Sequence, residues 1–136
     1  MRYINIFATL ILVFMVASAF SFIKKDKDKE QVVYAYGVAT SFRDTVVYIT
    51  EIQVLDSAKL DKDGFLPQRN LYPYQLKNYL ENKWRAADYT CTISFSKKKE
   101  TLTKDLNKLQ NKLKKNKDNV IIMIPSNDFK FTKPEE

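Results

Sequence analysis

Between Tyr89 and Pro125 the hydrophobic period of the chain changes twice, and the three segments this defines leave few folds open. Tyr89-Thr-Cys-Thr-Ile-Ser-Phe95 alternates strictly. Tyr89, Cys91, Ile93 and Phe95 fall on one side and Thr90, Thr92 and Ser94 on the other, the pattern of a strand with one buried and one wetter face. From Lys97 to Asn116 the period becomes helical: Leu102, Leu106, Leu109 and Leu113 lie within an arc of about 60° at 100° per residue. Asn116 is the expected stop, because Asn tolerates the left-handed conformation that ends helices. Val120-Ile-Ile-Met-Ile124 is apolar throughout, which predicts a strand covered on both faces. Strand, helix and buried strand in succession predict a right-handed parallel crossover.

Upstream, Val32–Ala39 and Thr45–Val54 are rich in β-branched and aromatic residues, and Ser41–Asp44 between them is short enough for a hairpin. In the first strand the small side chains of Ala35, Gly37 and Ala39 share a face with Val33, a surface suited to a closely packed helix. Opposite them stand Val32, Tyr34, Tyr36 and Val38. In the second strand unbroken alternation turns Glu51 and Gln53 outward. Residues 55–71 read as a loop. Pro73 suits the first turn of a helix, and Leu76, Tyr79, Leu80, Lys83 and Trp84 continue at helical spacing to about Arg85–Asp88, with the aromatics expected to anchor that helix on the sheet. The resulting expectation is an α+β two-layer sandwich: a mixed sheet of about four strands in the order β-β-α-β-α-β, with two helices on one face. The domain is expected over residues 31–126. Residues 127–136 are expected to form a loose C-terminal tail, with a short edge strand at Phe129–Phe131.

The N-terminus is expected to meet a membrane. Ile4 to Ile23 carries no charge, Arg2 precedes it, and Lys24, Lys25, Lys27 and Lys29 follow. Arg2, the apolar run and Ala17-Ser18-Ala19 together predict a signal peptide over 1–19 with Phe20 as first mature residue, and with it an exported, periplasmic or extracellular domain. The alternative is an uncleaved anchor over 4–23, long enough to span a bilayer, whose lysines hold the domain on the cytoplasmic side. Residues 20–30 contain the sign-alternating run Lys24–Glu30, which has nothing apolar to bury and reads as a spacer.

Composition removes most chemistry. The chain of 136 residues has no His, one Cys and two Gly, so the commonest general base, a structural zinc site, a P-loop and a dinucleotide-binding fingerprint are all ruled out. No cofactor or metal is expected. Asp61-Lys-Asp-Gly64 has the acid spacing and glycine of an EF-hand centre, but Gly64 as sixth position puts Lys59 first and Asn70 twelfth, where oxygen ligands, normally Glu at the end, are required. Asp and Gly equally make tight turns. Acid/base work by Glu51, Asp56, Asp61, Asp63, Glu81 or Asp88 has no spacing to support it, and a hydrolytic enzyme is the weaker reading. Cys91, between two threonines on an alternating strand, reads as a small buried hydrophobe.

Charge marks one place. The chain carries +7, and between Lys97 and Lys117 nine lysines face only Glu100 and Asp105. Lys97, Lys104, Lys108 and Lys115 project opposite the leucine stripe and form the candidate anion-binding surface. Its bland reading is a solvated face that keeps the helix soluble. Its functional reading is a non-enzymatic binding module whose partner is anionic: membrane headgroups, an envelope polymer or an acidic protein. Nucleic acid ranks lower, since the helix has neither Arg for base edges nor aromatics for stacking. A leucine-seam dimer has too few heptads.

Overall fold

The computed structural model describes residues 31–135, which contain five strands and two helices. The expected leader, anchor and spacer lie outside the described residues. In chain order the elements are β1 (Tyr34–Thr40), β2 (Val46–Thr50), β3 (Gln53–Val54), α1 (Leu71–Lys83), β4 (Thr90–Ser96), α2 (Lys99–Lys114) and β5 (Val120–Ile124). The fold is α+β on a mixed sheet. β1 lies at its centre, paired antiparallel with β4 on one side and with β2 and β3 on the other, and β5 joins β2 in parallel. β4 and β5 therefore run parallel to each other from opposite edges, and α2 crosses β1 and β2 to connect them.

The second strand does not run unbroken. Val38 pairs with Ile49 and Ala35 with Gln53, so Thr50, Glu51 and Ile52 stand opposite only Tyr36 and Gly37. This is a β-bulge, one extra residue that reverses the faces downstream of it. Gln53, expected outward, is consequently 5 % exposed, and Val54 takes the solvent side. The bulge is held by Thr50, whose hydroxyl accepts the Gly37 N–H at 2.8 Å and donates to the Glu51 carbonyl at 3.1 Å. Gly37 has no room for a side chain: a Cβ there would sit 2.8 Å from Leu76 Cδ2 and 3.0 Å from Phe131 Cζ.

The two helices lie on opposite faces, which corrects the two-layer expectation of both on one face. Val33, Ala35 and Ala39 of the small-residue face pack with Tyr72, Leu76 and Leu80 of α1, while Tyr36 packs with Leu102 of α2, and Tyr34 and Val38 join that second cluster. Adjacent residues of β1 point to opposite faces, so the clusters are separate cores with the sheet between them. Small side chains on one face let α1 approach closely; the larger ones opposite leave α2 to bury Leu102 fully and Leu106, Leu109 and Leu113 only in part. β5, expected to be covered on both faces, is an edge strand. Its Val120 is 51 % exposed.

Residues 127–135 are not a loose tail, and no strand forms at 129–131. Phe129 and Phe131 are buried in the α1 core and meet edge to face at 4.9 Å between ring centroids. Two glutamine side chains replace the missing strand partner. Gln53 Nε2 donates to the Phe129 carbonyl at 3.0 Å and its Oε1 accepts the Phe131 N–H at 2.9 Å. Gln75 does the same for both backbone groups of Thr132, at 2.8 and 2.9 Å. A primary amide offers one donor and one acceptor side by side, as a neighbouring strand would.

Trp84, expected to anchor α1, is 46 % exposed; its indole N–H donates to Tyr79 Oη at 3.3 Å and its ring meets Tyr48 at 6.0 Å. After α1 the chain turns at Arg85, whose φ is 50°. Beyond α2, Asn116 is not in the left-handed region. It makes a side-chain turn instead, Asp118 N–H to Asn116 Oδ1 at 3.1 Å, while Asn119 Nδ2 caps the Leu113 carbonyl at 3.0 Å.

Candidate functional site

Of the four predicted surface lysines, Lys104 and Lys108 stand exposed on α2, and Lys115 caps its C-terminus in helical conformation. Lys97 is not on the helix. It occupies the turn after β4, because the helix begins only at Lys99 and the extended N-cap Lys98 (φ −109°) breaks the helical projection. The surface is therefore a row along α2, about 17 Å from Lys104 to Lys115 at 1.5 Å per residue, with one lysine displaced to its head.

Two local features define its electrostatics. The lysines are free: the ion pairs among the described residues are Arg43–Asp88 and Lys130–Asp56, and neither involves α2. The start of α2 is built against its dipole. Lys98 makes no side-chain capping bond, Lys97 and Lys99 flank it, and Glu100 is the only acid in the first turn. Cations near a helix N-terminus are unfavourable because the unpaired N–H groups there carry partial positive charge. Ser96 gives partial relief, its hydroxyl accepting the Lys98 N–H at 3.1 Å.

Four of the carboxylates weighed for acid/base work, Glu51, Asp56, Asp61 and Asp88, go to separate contacts. Glu51 accepts the N–H and hydroxyl of Ser126, both at 3.1 Å. Asp56 meets Lys130, and Asp88 meets Arg43. Asp61 Oδ1 accepts the N–H groups of Asp63 and Phe65 at 3.0 and 2.8 Å, closing a turn in which Gly64 takes φ 83°.

A second concave region was not foreseen. A groove of about 650 Å³ runs between α1 and β4, with Arg69, Tyr74 and Lys77 on the helix side and Tyr89, Cys91 and Ile93 on the strand side. Burial raises the Cys91 thiol to about 11, with Lys77 opposing and Glu81 adding to the shift. Tyr89 is pushed up to about 12 by burial, then by the charge and hydrogen bonding of Asp44 and by Tyr48. Both groups are protonated and unreactive near neutrality. The uncharged sequence of β4 was visible beforehand; that β4 is an edge beside a helix depends on strand order, which no local pattern contains.

No helix among the described residues is long and apolar enough to cross a membrane. No family model matches the chain, and neither a curated protein nor a solved structure is significantly similar to it.

Proposed function

We propose that the domain is a small non-enzymatic binding module, exported or membrane-tethered, that uses α2 to hold an anionic surface. The observation that carries the reading is the unpaired lysine row on a helix whose leucines seat it on the sheet. Supporting it, the start of α2 keeps three lysines where the dipole disfavours them, offset only in part by Glu100 and the Ser96 hydroxyl; a local stability rule broken in this way is the usual mark of a functional demand. For a domain held close to a bilayer the nearest anions are lipid headgroups, with an acidic envelope polymer or an acidic protein meeting the same charge pattern. The non-enzymatic part of the reading rests on the lack of His and on the dispersal of the carboxylates.

The test is co-sedimentation of the full chain with vesicles of acidic or of neutral lipid. Each Lys near an anionic surface contributes on the order of 1 kcal/mol. Changing Lys97, Lys104, Lys108 and Lys115 to Gln should therefore weaken association with acidic vesicles by up to about a thousandfold at low salt, and the difference should shrink as salt rises. Equal binding by the variant and the parent chain leaves the lysines as a solubilising coat. Mass spectrometry of the mature N-terminus separates the exported form, beginning at Phe20, from the tethered one, retaining Met1.

A further inference from the structure

We infer that the groove between α1 and β4 is a docking site for an extended acidic peptide, which adds to the sheet as a strand beside β4. β4 spans seven residues, Thr90–Ser96, and among the described residues it hydrogen-bonds to β1 along one edge only. An edge strand presents a row of unpaired N–H and C=O groups, and proteins ordinarily protect such edges with charge, proline or a bulge. β4 has none of these. Its sequence from Tyr89 to Ser96 holds no charged residue and no proline, and its register with β1 is continuous over all seven pairs. A regular, uncharged edge beside a helix is the arrangement in which an added strand gains main-chain hydrogen bonds while the helix side reads its side chains.

The groove selects the charge of the occupant. Arg69 and Lys77 line its helix side, and neither forms an ion pair among the described residues. Lys77 Nζ lies 6.0 Å from the centre of the Tyr74 ring, which is 63 % exposed. Glu81, one turn beyond Lys77, acts on Cys91 from the same helix and marks where the basic wall ends. On the strand side, half-buried Cys91 and Ile93 offer apolar contact. Successive side chains of an extended peptide alternate in direction, so carboxylates at every second position form one row facing Arg69 and Lys77. A second copy of this chain fits less well, because each copy carries the same basic excess. This site is separate from the lysine row of α2, which lies on the opposite face of the sheet.

The experiment uses the full chain and an acetylated octapeptide alternating Glu with Val or Thr, with the same octapeptide carrying Lys for Glu as control. Fluorescence anisotropy measures affinity and hydrogen exchange locates the bound strand. The acidic peptide should bind, slow exchange at residues 90–96 and leave 120–124 unchanged. Arg69→Glu with Lys77→Glu, both at solvent-accessible positions, should weaken it at least tenfold, while the four Lys→Gln changes of the α2 surface should alter it less than threefold. Failure of the acidic peptide to bind, equal binding of the Lys peptide, or protection outside β4 would each overturn the inference. So would loss of binding that follows the α2 lysines, or a β4 edge already protected in a dimer of the free chain. Loss of vesicle binding by the α2 variant with peptide binding intact would separate the two sites.

Discussion

The Gln53 amide should hold the C-terminal segment to the sheet, and replacing it tests both the bulge and the burial of residues 129–131. Gln53→Ala removes two hydrogen bonds, at 3.0 and 2.9 Å, and leaves the Phe129 carbonyl and Phe131 N–H without partners beside a phenylalanine that is 1 % exposed. A net bond contributes about 1 kcal/mol, and an orphaned buried group costs about 1–3 kcal/mol. Partial opening of the segment to water relieves some of this, so the expected loss is about 3 kcal/mol, a large share of a typical stability of roughly 5–15 kcal/mol. Gln75→Ala removes the same chemistry from Thr132 at an exposed position, where water substitutes; its expected cost is about 0.5–1 kcal/mol. With a urea slope near 1.5 kcal/mol per molar, the midpoints should fall by about 2 M and about 0.5 M. Gln53→Glu adds a sign test. Burial and the Phe129 carbonyl favour the neutral carboxylic acid, which alone can both donate and accept as the amide does. The folded-state pKa of that group is thereby raised, so the variant should gain stability, relative to the parent, as pH falls towards about 4 and lose it as pH rises to 7. Equal losses from Gln53→Ala and Gln75→Ala would refute the amide clamp.

Three further outcomes follow from particular residues. Gly37→Ala places a methyl 2.8 Å from the fully buried Leu76, which has nowhere to swing, so overpacking of about 1–3 kcal/mol should outweigh the roughly 0.5–1 kcal/mol gained by removing a strand glycine; a urea midpoint at or above the parent's would contradict the close approach. Lys98→Asp supplies the missing cap and reverses an unfavourable charge, so thermal unfolding should shift upward by the equivalent of about 1 kcal/mol, while affinity for acidic vesicles drops. Tyr89 and Cys91 have raised pKa values, to about 12 and about 11 from 10.0 and 9.0, so the folded chain binds more protons than the unfolded one between those limits. Their contribution is complete below about pH 9 and is lost as pH rises through 11 to 12; urea midpoints should be lower at pH 10.5 than at pH 8, with Tyr89→Phe and Cys91→Ala each flattening the fall, and a pH-independent midpoint would count against the burial of both.

What the amino-acid sequence determined by itself was local and periodic. Alternation in β1 and β4, the leucine stripe of α2 and the small-residue face at Ala35, Gly37 and Ala39 each follow from side chains within a few residues of one another, and each formed as expected. The lysine row was legible for the same reason, apart from Lys97, whose position depends on where the helix starts. Only the tertiary structure decided the rest. One extra residue at Thr50–Ile52 turns Gln53 inward without leaving any mark in composition, because a bulge is a property of pairing and its acceptor, Thr50, meets its donor thirteen residues away. The assignment of α1 and α2 to opposite faces, the placement of β4 and β5 at the edges, and the capture of Phe129 and Phe131 by two glutamines all come from contacts distant in sequence. Local periodicity states which face of an element is apolar; only the order of the strands states what covers it.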